Sequence, residues 1–181
     1  MDSNKKCVSK TFDIWVKSII EREVILPFNS VGNNLKDLIT LKLRRDIEGK
    51  CSVDGYIRNN SINIISYSSG LLESDLIKFN VSIECDICNP VEGMSICVKA
   101  LNITKAGIRG VYPKGISPVE VLLPRDWHYN SKDFSSIKEE DIMIVKVIGQ
   151  RYELGDDKIQ VMGEIENKAK IKVKQPSIKI K

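Results

Sequence analysis

The chain has 181 residues, 42% of them hydrophobic and 29% charged, with aromatics at only 6%. That length supports one ordinary domain or two small ones. The formal net charge is +4, yet six lysines and no acid lie from Lys168 onward, which leaves 22 basic against 24 acidic residues in the remainder. A body so close to neutral argues against broad, salt-driven binding to duplex nucleic acid. Residues 1–11 are polar and lysine-rich with no apolar signal core, and no apolar run approaches the roughly 18 residues that a membrane span needs. The expectation is an intracellular, reducing location, no membrane, and five free thiols at Cys7, Cys51, Cys85, Cys88 and Cys97.

Residues 12–26 (FDIWVKSIIEREVIL) read as an extended strand ending at Pro27, since the residue before a proline prefers β geometry. Past the Asn/Gly turn at 29–34, Leu35, Leu38, Ile39, Leu43 and Ile47 fall on one helical face. Asn33 or Asn34 can cap that helix, Asp37 suits its first turn, Arg44 and Arg45 suit its last, and Gly49 can end it. Three strands are expected next, over 50–58, 61–67 and 76–88; in the last, Ile77, Phe79, Val81, Ile83, Cys85 and Ile87 share a face. One main helix on a small antiparallel sheet is an α+β module.

From Pro90 to Trp127 the pattern changes to three short strands. Met94, Ile96 and Val98 alternate with polar neighbours. Residues 106–112 carry Gly107 and Gly110, where a strand tolerates glycine for a bulge, a bend or a close backbone approach. Val119, Val121 and Leu123 alternate up to Pro124. Meanders of this kind open small closed barrels such as the OB fold. A polar connection over 128–140 leads to an apolar strand at 141–148, extended through 151–154. Gly155-Asp156-Asp157 is a hairpin turn, and 158–165 returns as the fifth strand. The tail from Lys168 alternates Lys with Ile or Val, fitting either a phosphate-binding arm or a solvated terminus.

Catalytic and metal chemistry finds little support. Cys85-x-x-Cys88 has metal-knuckle spacing but no second pair, so a buried structural thiol is the plainer reading. His128, the one histidine, has no nucleophile in a recognisable motif near it, and no glycine-rich phosphate loop is present. No cofactor, metal or catalytic residue is therefore expected. Nucleic-acid contact is the stronger proposal. Lys99, Lys105, Arg109, Lys114 and Arg125 lie on or beside the first barrel strands, with Tyr112, Trp127 and Tyr129 supplying rings. OB barrels bind single strands through a basic groove and stacking aromatics. Ordinary solvated charge, with Trp127 plugging the barrel, fits the same residues equally well.

The order of these modules resembles a known family. EVILP (23–27) with VGNNL (31–35), LKLRRDIEGKC (41–51) with Gly55-Tyr56-Ile57, NPVEGM (89–94), KAGI (105–108), Leu123-Pro124 and VKVIGQRYELGDDKIQVMGE (145–164) are similar to stretches of the seventh, stalk subunit of eukaryotic-type multisubunit DNA-directed RNA polymerases, known in archaea as the E prime type. It is the order and spacing of these stretches that carries the resemblance. It implies an N-terminal extension (1–11), a tip domain that docks on the polymerase (12–88), an OB-fold RNA-binding domain (89–167) and a basic tail (168–181). It also implies a non-catalytic accessory subunit that docks near the clamp and guides nascent single-stranded RNA. Its partners would be the polymerase core subunits and a small helical fourth-subunit-like protein. Residues of the two loop regions flanking the helix (Pro27, Val31, Gly32, Asn33, Glu48, Gly49, Gly55 and Tyr56) would face the core. The barrel stretch GIRGV (107–111) departs from the pattern in lacking an aromatic, which favours backbone contact over base stacking. Composition rich in Ile, Lys and Asn fits an AT-rich genome. The expected location is the nucleus of a cell, or a cytoplasmic viral factory or virion if the source is a large DNA virus with viral transcription. The alternative is a free-standing OB-fold RNA-binding factor of translation or RNA processing.

Overall fold

The computed structural model describes residues 13–129 and 132–167, so the N-terminal extension and the lysine tail lie outside the described residues. Two compact units are present. One joins Trp15–Asn89 with Tyr152–Asp157; the other comprises Asp13, Ile14, Pro90–Arg151 and residues 158–167.

In the first unit, β1 (Trp15–Pro27) and β6 (Leu76–Cys88) are both 13-residue strands, antiparallel and in unbroken register from Trp15↔Cys88 to Pro27↔Leu76. The alternation in β6 buries Phe79, Val81, Ile83, Cys85 and Ile87 on one face, as period-2 patterning requires. Its other edge is shared by three short strands: β3 (Gly55–Ile57), β4 (Asn63–Tyr67) and β5 (Leu71–Glu73). The helix α1 (Leu35–Ile47) covers the buried face. Ile39 and Leu43 are fully sunk into the core, with Leu35, Leu38 and Ile47 packed around them. Asp37 lies in its first turn and Arg44 and Arg45 in its last, favourable for the helix dipole. Gly49, at φ +73°, turns the chain out of the helix, and its N–H donates to the Ile57 carbonyl at 2.9 Å.

The single strand expected over 50–58 is instead a tight hairpin. β2 (Cys51–Ser52) folds back on β3 with Cys51 opposite Tyr56 and Ser52 opposite Gly55. Val53 and Asp54 form the turn, and the Ser52 hydroxyl donates to the Gly55 carbonyl at 3.0 Å. The turn segment Tyr152–Asp157 completes this unit: the Cys51 N–H donates to the Asp156 carbonyl at 2.8 Å, and the Gly155 N–H donates to the Cys51 carbonyl at 2.9 Å.

The second unit is a closed five-stranded barrel of β7 (Ser95–Ile103), β8 (Gly107–Val111), β9 (Val119–Pro124), β10 (Ile142–Arg151) and β11 (Ile159–Asn167). Around the barrel the order is β7-β8-β9-β11-β10, with β9 and β11 parallel and every other pair antiparallel. This is the connectivity of an OB barrel. Gly107 and Gly110 serve close approach: a Cβ on Gly107 would lie 2.3 Å from the Leu123 carbonyl oxygen, and one on Gly110 would lie 2.4 Å from Val98. β7 buries both faces at its centre, because Cys97 packs outside the barrel wall against Ile142 and Ile144.

The thiols divide. Cys51, Cys85 and Cys88 are buried and outside any disulfide, whereas Cys97 is disulfide-bonded, which corrects the expectation of five free thiols. Cys85 and Cys88 stand three residues apart in an extended strand and point to opposite faces, so they cannot chelate together. Burial pushes the Cys51 and Cys85 thiols up to about 11; nearby Asp156 and Asp157 add to the effect at Cys51, while Arg22 partly opposes it at Cys85. Both should therefore resist alkylation of the native chain at pH 8 and react only after unfolding, as peptide mapping of labelled protein would show. The folded state keeps protons that the unfolded chain releases above its ordinary thiol value. Stability carried by these groups is thus full below about pH 9 and is lost as pH rises toward 11, so the melting temperature should fall across that window.

Candidate functional site

The docking residues expected from the sequence fall into two separate groups. Pro27 pairs with Leu76 at the start of β6, while Tyr56 pairs with Cys88 at its end. A strand rise of about 3.3 Å per residue puts those rows about 40 Å apart. With Pro27 go Val31, Gly32 and Asn33 in the loop leading to α1; Val31 packs on the core, and Gly32 and Asn33 are exposed. With Tyr56 go Glu48, Gly49 and Gly55, and all four are engaged in the fold. The Glu48 carboxylate accepts the Ile62 N–H at 3.3 Å and lies 3.9 Å from Arg44. Tyr56 is buried with its ring 6.1 Å from that of Trp15, and burial raises its hydroxyl above the ordinary value.

The Pro27 end presents an apolar cluster that periodicity alone did not single out. Register places Ile25, Lys78 and Leu71 in one row, Leu26, Ile77 and Leu72 in the next, and Pro27, Leu76 and Glu73 in the third. The Phe28 N–H donates to the Asp75 carbonyl at 2.9 Å, which ties its backbone to the turn between β5 and β6. Ile25, Phe28, Leu71, Leu72 and Leu76 are all exposed, Phe28 at 56% and both leucines of β5 at 60%. Successive rows point to opposite faces, so Ile25, Leu71 and Leu76 are exposed on the face away from α1, while Leu72 shares its row with the core residues Leu26 and Ile77. Exposed apolar side chains of this size at one end of a sheet suit an interaction surface. The signal lay in the Leu71-Leu72 pair; that Leu71 shares a row with Ile25, across Lys78, only the register shows.

The expected RNA-facing residues are also spread. Lys105 sits exposed in the turn between β7 and β8. Arg125 lies beside that turn, its backbone N–H donating to Ala106 at 3.0 Å and its guanidinium to the Thr104 carbonyl at 3.1 Å. Trp127 follows in the 3-10 turn Arg125–His128 and is 50% exposed, with Tyr129 open beyond it. The barrel is therefore not plugged by Trp127. Beneath that turn, Phe134 of the short helix α2 (Lys132–Ser135) stacks on His128 at 4.9 Å. Arg109 points outward from the middle of β8 and is ion-paired with Glu120 of β9, and Lys99 is ion-paired with Glu140. At the far end of β8, Lys114 is exposed, but Tyr112 is only 6% exposed and its hydroxyl donates to Asp13 at 3.2 Å. Tyr112 thus offers no open ring face to a base.

No family model matches the chain. Among curated proteins, it is similar to the DNA-directed RNA polymerase II subunit RPB7 of Glycine max: 24% identity over 149 residues, covering 74% of this chain and 82% of the relative. The similarity is to a polymerase subunit, and it extends over most of both chains. Among the described residues, no group of three or more His, Cys, Asp or Glu is placed to hold a metal ion. No helix among them is long and apolar enough to cross a membrane. Lys105, Arg125, Trp127 and Tyr129 gather at one end of the barrel, where cations and open rings suit a single-stranded nucleic acid.

Proposed function

We propose that this chain is a non-catalytic subunit of a DNA-directed RNA polymerase, of the stalk type, in which the sheet-and-helix unit docks on the polymerase core and the barrel receives emerging RNA. The observation that carries the reading is the similarity to a polymerase II subunit along most of both chains, on a fold of α+β module followed by OB barrel. The Pro27 end of the sheet is the docking surface in this proposal, with Ile25, Leu71 and Leu76 exposed on the outer face, Leu72 on the other, and Phe28, Pro27, Gly32 and Asn33 at its margin. Glu48, Gly49, Gly55 and Tyr56 shape the unit from within. Lys105, Arg125 and Trp127 take RNA at the barrel end, while Tyr112 holds the fold. A helical fourth-subunit-like partner and a nuclear or viral-factory location belong to the same reading. Catalysis of nucleotidyl transfer would rest with other subunits.

Purification of the tagged full chain from its native cells tests this. The two largest polymerase subunits should accompany it in near-equal amounts, and Phe28→Asp together with Leu72→Asp should release them while the chain stays folded. A tagged chain that returns without any large polymerase subunit would overturn the proposal.

A further inference from the structure

One apolar cluster lies on the outer wall of the barrel, where β7 and β10 pair. Register sets three rows on that face: Lys99 with Ile142, Cys97 with Ile144, and Ser95 with Lys146. Cys97, Ile142 and Ile144 pack as a cluster of their own and are only 3%, 6% and 8% exposed. Among the described residues no further apolar side chain joins them. Side chains on the outside of a sheet stand up into solvent unless another layer covers them, so a further layer lies over these three. Cys97 is also disulfide-bonded. Of the five cysteines, Cys51, Cys85 and Cys88 lie outside any disulfide, which leaves Cys7 as the partner within this chain.

We infer that residues 1–12 form a strap over this wall, stapled by a disulfide between Cys7 and Cys97, and that reduction lifts the strap and uncovers Cys97, Ile142 and Ile144. The place where the chain enters the barrel unit supports this occupant. Ile14 is buried, and the Asp13 carboxylate accepts the Tyr112 hydroxyl at 3.2 Å. Val111, the residue before Tyr112, stands opposite Lys99. Cys97 therefore lies within about 10 Å of the Tyr112 backbone. Cys7 precedes Asp13 by six residues, a reach of about 20 Å when extended. The span closes without stretching the chain. The lysine tail also starts near this wall, since Asn167 is opposite Ile144, but it holds no cysteine.

The switch is a thiol–disulfide exchange. Two small thiols supply two electrons and two protons: the Cys7–Cys97 bond breaks, both cysteines become thiols, and the small thiols leave joined as a disulfide. Closure reverses the step, with a small disulfide as the oxidant. Disulfides in reducing compartments are mostly transient and redox-sensing. Use of the strap as a switch in the cell therefore rests on the polymerase reading above. The staple itself does not, and its test needs only the purified chain.

The test compares the full chain purified without reductant with the same chain treated with dithiothreitol. Cleavage after Lys, Arg and Glu separates Cys97 from Cys85 and Cys88, because Glu92 lies between them. Mass spectrometry should find the Cys7 peptide joined to the Cys97 peptide in the oxidised chain and the two apart after reduction. A maleimide should label Cys97 in the reduced native chain and in Cys7→Ser, while Cys51 and Cys85 stay protected. The bond closes a loop of about 90 residues, so Cys7→Ser should melt about 8 °C or more below the oxidised parent and level with the reduced one. Cys97 joined to a cysteine other than Cys7, or to a second copy on a non-reducing gel, overturns the staple, as does a Cys7→Ser protein that melts with the oxidised parent. Cys97 that stays protected in folded Cys7→Ser overturns the strap, since another segment such as the tail then covers the wall. Each of these results leaves the polymerase assignment untouched.

Discussion

Gly55→Ala should unfold the sheet-and-helix unit at much lower urea, with a loss of about 3–5 kcal/mol. Two penalties combine at this position. Its φ of +124° lies where L side chains are strained, which costs about 1–3 kcal/mol. The added Cβ would also sit 2.6 Å from the Cys88 carbonyl oxygen, 3.0 Å from the Asn89 Cβ and 3.1 Å from Ile87. Those atoms belong to the end of β6 and the residue after it, where β3 is paired, so they cannot yield as a surface side chain would. Overpacking of this kind costs about 1–3 kcal/mol more. Against a total stability of about 5–15 kcal/mol for a domain, that is a severe change. Fluorescence of Trp15, which packs on the neighbouring Tyr56, reports this unit directly. Gly32→Ala is the matched control. Nothing lies within 4 Å of its Cβ position and its φ is ordinary, so it should shift stability by no more than about 0.5 kcal/mol. A Gly55 variant within about 1 kcal/mol of the parent would contradict the account of the β2–β3 hairpin.

His128→Ala should destabilise the barrel by about 3–4 kcal/mol. The ring is buried and each nitrogen serves a backbone group. Nδ1–H donates to the Pro124 carbonyl at 2.8 Å, and Nε2 accepts the Ile165 N–H at 3.1 Å. That pattern fixes the neutral tautomer with its proton on Nδ1. One face lies near-parallel to Phe134, at 16°. The single side chain therefore ties the turn after β9 to β11 and to α2. Its removal leaves a buried carbonyl and a buried N–H, each costing about 1–3 kcal/mol, and opens a cavity against Phe134. His128→Phe should recover the ring contact without the two hydrogen bonds and fall between parent and alanine. Trp127, the adjacent residue, gives the fluorescence readout. Equal stability of all three proteins would show that the latch carries no weight.

These two residues show where sequence was informative and where it was silent. The long strands were legible because burial on one face imposes period 2: the alternation from Ile77 to Ile87 and the triplet Val119, Val121 and Leu123 are the inward faces of β6 and β9. The helix was legible from spacing, and Ile39 and Leu43 are its sunken residues. The break at Val53-Asp54 was not. A two-residue turn inside KCSVDGYIR competes with strand propensity on both sides, and only the closeness of Gly55 to Cys88 decides it. Surfaces were the least legible, because they depend on partners distant in sequence. Arg109 and Lys99 looked like free cations until Glu120 and Glu140 were found beside them. Tyr112 looked like a stacking ring, but it is buried and its hydroxyl is bonded to Asp13. The docking candidates chosen by resemblance mix exposed residues such as Gly32 with internal ones such as Glu48 and Tyr56. The exposed cluster at Phe28 and Leu72 emerged only with the register of β1, β5 and β6.

The central claim is a division of labour, with the sheet-and-helix unit meeting the polymerase and the barrel meeting RNA. Site-specific photo-crosslinking in the transcribing complex, isolated through a tag on the full chain, tests it most directly. A photoreactive amino acid replacing Phe28 should crosslink to a large polymerase subunit and not to RNA, while one replacing Lys105 should crosslink to nascent transcript. Crosslinks to RNA from position 28, or none to a polymerase subunit from 28 and none to transcript from 105, would contradict it.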